Sequence, residues 1–143
     1  FPYTSQKFLS VSTGDSRCDV PYMRAAEMYL IEAEAKARLG AADAAQVLFD
    51  FVKKRNPSYV LSTNTGQALA DEVLFQRRIE LWGEGFRFMD LKRTNSALDR
   101  SGANHNSIYT GNVTTVPAND KRWQWLIPKS EINANPLVKQ NDL

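Results

Sequence analysis

Two carboxylates stand four positions apart in the run Arg77-Arg78-Ile79-Glu80-Leu81-Trp82-Gly83-Glu84-Gly85-Phe86-Arg87-Phe88-Met89-Asp90. A pair such as Glu80 and Glu84 is the equipment of glycoside hydrolysis, one group acting as acid and the other as base or nucleophile. The neighbours argue against that use. A general acid needs a raised pKa, and nearby arginines keep carboxylates ionised. At helical spacing Arg77 meets Glu80, Glu84 meets Arg87 and Arg87 meets Asp90. The run therefore reads as an ion-pair lattice fixing one helix against the rest of the fold. Gly83 and Gly85 flank Glu84, but a phosphate cradle wants a strand before it and a helix after it. Here both flanks are helical, so the glycines read as close backbone packing or a kink.

Thiol and metal chemistry have little to work with. Cys18 and His105 are the single cysteine and the single histidine. They leave one dyad as the thiol option and exclude Cys-rich or His-pair metal sites. Both lie in polar, loop-like stretches. No nucleophile elbow accompanies His105, and no calcium-loop pattern occurs.

The remaining chemistry is recognition. Trp123 and Trp125 alternate, so in an extended chain both point the same way. Exposed, they would stack on sugar rings; otherwise they pack into the core beside Leu126 and Ile127. Tyr109, in the polar stretch 94–120, is a further stacking candidate. Asn104, His105 and Asn106 offer groups suited to sugar hydroxyls, or simply a solvated loop. Trp82, inside the charged run, reads as core.

Something must position these residues. The chain has 143 residues, 43% hydrophobic and 24% charged, the balance of a soluble globular domain. Eighteen Lys and Arg against sixteen Asp and Glu give +2, too small a surplus for nucleic-acid or polybasic membrane binding. No apolar run is long enough to span a bilayer. The chain opens on Phe1, shows no signal peptide, and Cys18 follows Asp15-Ser16-Arg17 rather than the small apolar residues that precede a lipidated cysteine. We expect a mature chain or a piece of a longer one.

Residues 1–20 read as an irregular lead-in, with Phe8–Val11 as a short edge strand. A helix is predicted from Tyr22 to Leu39, with Pro21 in its first turn and Asp19 as cap. Met23, Ala26, Leu30, Ala33 and Ala37 form its apolar stripe, and Gly40 suits a left-handed cap. A second helix runs from Asp43 to Lys54 on Val47, Leu48, Phe51 and Val52, and Asn56-Pro57 stops it. So short a connection forces an antiparallel hairpin. A third helix, from Gln67 to Trp82, breaks at Gly83–Gly85 and resumes from Phe86 to Lys92. Residues 94–120 form a long polar connection, followed by a buried extended segment from Trp123 to Pro128. The hairpin partly fits a tetratricopeptide unit: Tyr29, Ala33, Gly40, Ala45, Phe49 and Pro57 fall on its expected positions, whereas Glu32, Lys36 and Val52 depart from it.

Three blocks carry a more specific likeness: Arg24–Ala35, Arg77–Arg93, and Ile127–Pro136 closing with Gln140-Asn141. In this order they resemble the C-terminal region of the SusD/RagB family of outer-membrane glycan-binding lipoproteins of Bacteroidetes. The likeness covers about residues 21–142. Gln76-Arg77-Arg78 stands where the family often has Glu-Arg-Arg, and members are several times longer and begin with a lipidated cysteine. The resemblance implies a mostly α fold, SusD-like, with a tetratricopeptide-like hairpin, a further helix and long irregular segments, residues 21–143 forming its C-terminal helical domain. It implies a non-catalytic protein without cofactor or metal. Such a protein captures oligosaccharide for polysaccharide utilization and passes it to a SusC-like TonB-dependent transporter. It sits on the surface of the outer membrane, held by a lipid anchor absent from this chain. The family's glycan contacts come largely from regions outside these residues, so Trp123, Trp125 and Tyr109 are the ligand candidates within them. The reading from another class is a tetratricopeptide-like protein-interaction module that binds no sugar.

Overall fold

The computed structural model describes residues 7–10, 12, 14, 15 and 17–142. The chain divides into two compact units, Phe1–Phe86 and Arg87–Leu143.

The first unit is a three-helix assembly of α1 (Ala25–Leu39), α2 (Ala44–Val52) and α3 (Gly66–Glu80). α1 starts three residues later than its apolar pattern suggests. Arg24 occupies the cap position in an extended conformation, and no side chain, Asp19 included, caps the helix. Met23 consequently leaves the stripe and is exposed, while Ala26, Leu30, Ala33 and Ala37 are buried as expected. At the far end Gly40 takes φ 70°. Its N–H bonds to Ala37 O, and that of Ala41 bonds to Lys36 O. These two bonds satisfy carbonyls that a helix end would leave orphaned. The chain reverses at once and α2 packs back on α1, burying Ala44, Leu48 and Val52. Leu69, Ala70 and Val73 of α3 complete the core with Leu81. Leu30, Leu48 and Val73 are its largest fully buried side chains, each worth about 1.5–3 kcal/mol by removal from water. The small residues of α1 are what let two helices approach it closely.

The loop between α2 and α3 is tied down by one carboxylate. Glu72 accepts hydrogen bonds from Tyr59 Oη, Ser62 Oγ and Asn64 Nδ2. Near the chain start no strand forms over Phe8–Ser10, and Val11 lies outside the described residues.

The second unit contains most of α4 (Phe86–Arg93), a two-stranded antiparallel ladder of β1 (Leu98–Asp99) and β2 (Thr115–Val116), and α5 (Ser107–Thr110). A 3₁₀ turn at Lys121–Trp123 and α6 (Lys129–Ala134) follow. Asparagine does much of the turning. Asn95, Asn104, Asn112 and Asn119 all have φ between 49° and 62°, a left-handed region that asparagine tolerates better than other side chains. Asn95 closes α4 as Gly40 closes α1: its N–H reaches Lys92 O, and that of Ser96 reaches Leu91 O. The polar stretch 94–120 is thus an ordered succession of turns around a short ladder.

Candidate functional site

The charged run folds into a lattice, but with other cations than helical spacing suggested. α3 stops at Glu80 because Gly83 and Gly85 adopt φ 78° and 84° and turn the chain away. At Gly83 a Cβ would collide with the ring of Phe8, so glycine is required there by contact as well as by conformation. Arg24 then reaches both carboxylates, with Nη1 on Glu80 Oε1 at 2.9 Å and Nη2 on Glu84 Oε1 at 2.7 Å. Arg55 bonds to Glu80, and Lys7 forms an ion pair with Glu84. Arg24 Nη2 and Lys7 Nζ also bond to Glu80 O, and Lys7 Nζ to Trp82 O. The cations therefore cap the carbonyl end of α3, where its dipole is negative. Arg77 pairs with Glu27 of α1 at 3.1 Å and stacks its guanidinium over Phe86.

These contacts decide the chemistry of the two carboxylates. Burial pushes the Glu80 carboxyl up, but the hydrogen bonds from Arg55 and Arg24 outweigh it and hold the group below the ordinary glutamate range. Glu84 behaves likewise, with Arg24 and Lys7 opposing burial. A protonated general acid at neutral pH needs the opposite shift. Trp82 differs from expectation: it is exposed, with Phe8 tilted against it, because the break after Glu80 carries it off the buried face of α3.

The aromatic residues of the second unit are organised by Phe88. Its ring centroid lies 5.5 Å from that of Trp123 and 5.8 Å from that of Trp125, the latter edge to face. The two tryptophans nevertheless have different fates. Trp123 ends the 3₁₀ turn rather than sitting in an extended segment, so alternation does not apply. It is 9% exposed, and its Nε1 donates to Pro117 O at 2.7 Å. Trp125 is 72% exposed. The expectation that both share one environment, core or surface, fails on that turn. The segment from Gln124 to Leu126 is exposed rather than buried, with Ile127 half-buried.

The turn itself is built by Asp120. Its Oδ1 accepts from the Arg122 backbone N–H, and both its oxygens receive the Arg122 guanidinium. Those bonds hold the Asp120 carboxyl down at about 2. Beyond the turn, Asn141 Nδ2 donates to Trp125 O at 2.7 Å, and Gln140 brackets the Ile127 backbone. The Gln-Asn pair near the chain end is a clamp on the tryptophan segment. Phe88 and this clamp lie inside the blocks Arg77–Arg93 and Ile127–Pro136 with Gln140-Asn141, but neither residue type nor spacing marks them as site-forming.

Tyr109 stands apart on α5. It is 89% exposed and, among the described residues, makes no ring contact with either tryptophan. Asn106 spends its Oδ1 on the Ile108 N–H, and Asn104 serves as a left-handed turn residue. His105 is exposed. An open cleft of ≈ 230 Å³ lies between the end of α4 and the Asp120 turn, with Trp123 in its wall. Among the described residues no three side chains of metal-ligating type come together, and no helix is long and apolar enough to cross a membrane.

Comparison with known proteins agrees with this architecture. A model of the SusD family matches residues 3–143. "SusD-like protein P38" of Formosa agariphila is 30% identical over 103 residues, which are 66% of this chain and 20% of that protein. A solved SusD-like carbohydrate binding protein from Bacteroides vulgatus is 31% identical and superposes with a TM-score of 0.64, over 80% of this chain and 29% of that one. The chain thus spans well under half the length of the relatives it matches.

Proposed function

The chain belongs to the SusD family, and on that premise we propose that it is part of a non-catalytic glycan-binding component of an outer-membrane nutrient uptake system. The protein captures oligosaccharide at the cell surface and hands it to a SusC-like TonB-dependent transporter. The observation that carries this reading is the likeness in sequence and fold to a structure described as carbohydrate binding. The state of Glu80 and Glu84 supports a binding role without hydrolysis, since cations hold both carboxyls ionised.

Within these residues Trp125 is the stacking platform. An indole face left in water, fixed by Phe88 beneath and by Asn141 on its backbone, suits the apolar face of a sugar ring. Trp123 packs against the same Phe88 ring, and Tyr109 is a separate exposed ring. Affinity electrophoresis through gels containing candidate polysaccharides tests the reading. Retardation that falls in Trp125→Ala supports it, and a protein retarded by none of a broad glycan panel overturns it.

A further inference from the structure

The cleft beside Trp123 has features the stacking surface does not use. The amides of Asn106, Asn135, Gln140 and Asn141 are committed to backbone groups. Those of Asn95, Asn119 and Gln124 line the cleft and, among the described residues, have no hydrogen-bond partner in the chain. Two of them are rigidly mounted. Asn95 is the left-handed cap of α4, and Asn119 is the left-handed residue leading into the Asp120 turn. Leu91 and Trp123 form the floor of the cleft but are themselves buried, the indole N–H being engaged by Pro117 O, so the lining is mostly polar.

Charge in the cleft is unbalanced. Asp120 lines it, but both its oxygens are engaged by Arg122. Lys92 lines it as well and, among the described residues, has no carboxylate partner. A small, mostly polar concavity with unengaged amides and one ammonium that has no carboxylate partner among the described residues fits a sugar ring bearing a carboxylate. The hydroxyls meet the amides and the carboxylate meets Lys92. The volume suits one ring rather than a chain.

We propose that this cleft binds a single uronic-acid residue of an acidic glycan, with Lys92 selecting the carboxylate and Asn95, Asn119 and Gln124 taking the hydroxyls. The proposal rests on the glycan-binding reading and adds to it a second subsite and a charge preference.

The test is titration of the isotopically labelled chain with methyl glucuronoside and methyl glucoside, following side-chain amide and indole N–H resonances. The glucuronoside should shift the amides of Asn95, Asn119 and Gln124 and the indole of Trp123 saturably. The glucoside should bind roughly three- to fivefold more weakly, the size of one exposed charge pair. That preference should shrink as salt is raised and vanish in Lys92→Gln, whose spectrum elsewhere reports an unchanged fold. Equal binding of the two sugars overturns the acidic assignment. If neither sugar moves these resonances while polysaccharide still retards the protein through Trp125, the cleft is no subsite and the glycan-binding reading stands.

Discussion

Gln140 lays its side-chain amide along the backbone of Ile127, accepting from Ile127 N at 2.9 Å and donating to Ile127 O at 3.0 Å. One side chain thereby imitates a partner strand for a segment that belongs to no sheet. Asn141 adds a bond to Trp125 O. The exposed tryptophan thus stands on a backbone held from the far end of the chain.

Replacing Gln140 by Leu should loosen that segment without touching the helices of the first unit. Two partly exposed hydrogen bonds together contribute about 1–2 kcal/mol. Amide exchange at Ile127 should accelerate, and acrylamide should quench Trp125 more readily. Unchanged exchange at Ile127 would show that the clamp carries no weight.

Gly83 and Gly85 separate two reasons for glycine. Both have positive φ, so Ala at either pays a left-handed penalty of about 1 kcal/mol. At Gly83 the added carbon also meets Phe8, whereas at Gly85 it meets open space. Chemical denaturation should find Gly83→Ala the more damaging. The gap between the two should close in a Phe8→Ala background, where the collision is gone. A gap that persists there would place the strain elsewhere.

How legible this was depends on what each element answers to. The three helices of the first unit show in the sequence because their buried faces recur at helical spacing and Gly40 marks a stop, so pattern and packing agree. The start of α1 is not legible: Tyr22 and Met23 extend the apolar pattern, yet Arg24 stays extended with its guanidinium on Glu80 and Glu84, 56 and 60 residues away. No local rule sees such a partner. Helical spacing likewise points to an ion lattice but names the wrong cations for Glu80 and Glu84, which are held by Arg24, Arg55 and Lys7. Alternation places Trp123 and Trp125 alike because it assumes a strand. The Asp120–Arg122 interaction that makes a turn instead involves residues that resemble any surface pair.

Acid should weaken the fold through the same lattice. Glu80 and Glu84 have carboxyls held below the ordinary value near 4.5. A group whose folded pKa is depressed stabilises fully above its unfolded value and loses that contribution as pH falls through the folded one. Urea midpoints should therefore be flat near neutrality and decline from about pH 4.5 downward. Glu80→Gln should be less stable at pH 7 and decline less steeply. A variant with the wild-type slope would remove Glu80 from the account.

The two tryptophans give the sharpest contrast, because one residue separates them and their burdens differ. Trp123→Ala opens a cavity against Phe88 and should cost about 3 kcal/mol or more. Trp123→Phe keeps most of the ring but leaves Pro117 O without its 2.7 Å donor, a loss of about 1 kcal/mol. Trp125→Ala removes a ring that is 72% exposed and should move stability by no more than about 0.5 kcal/mol. Polysaccharide retardation should instead fall most in Trp125→Ala, measured at a temperature where all three variants are folded. Trp125→Ala should lose it, and Trp123→Phe should keep most of it. If Trp125→Ala proves as destabilising as Trp123→Ala, Trp125 is structural and the sugar platform must be sought on another exposed ring, Tyr109 first.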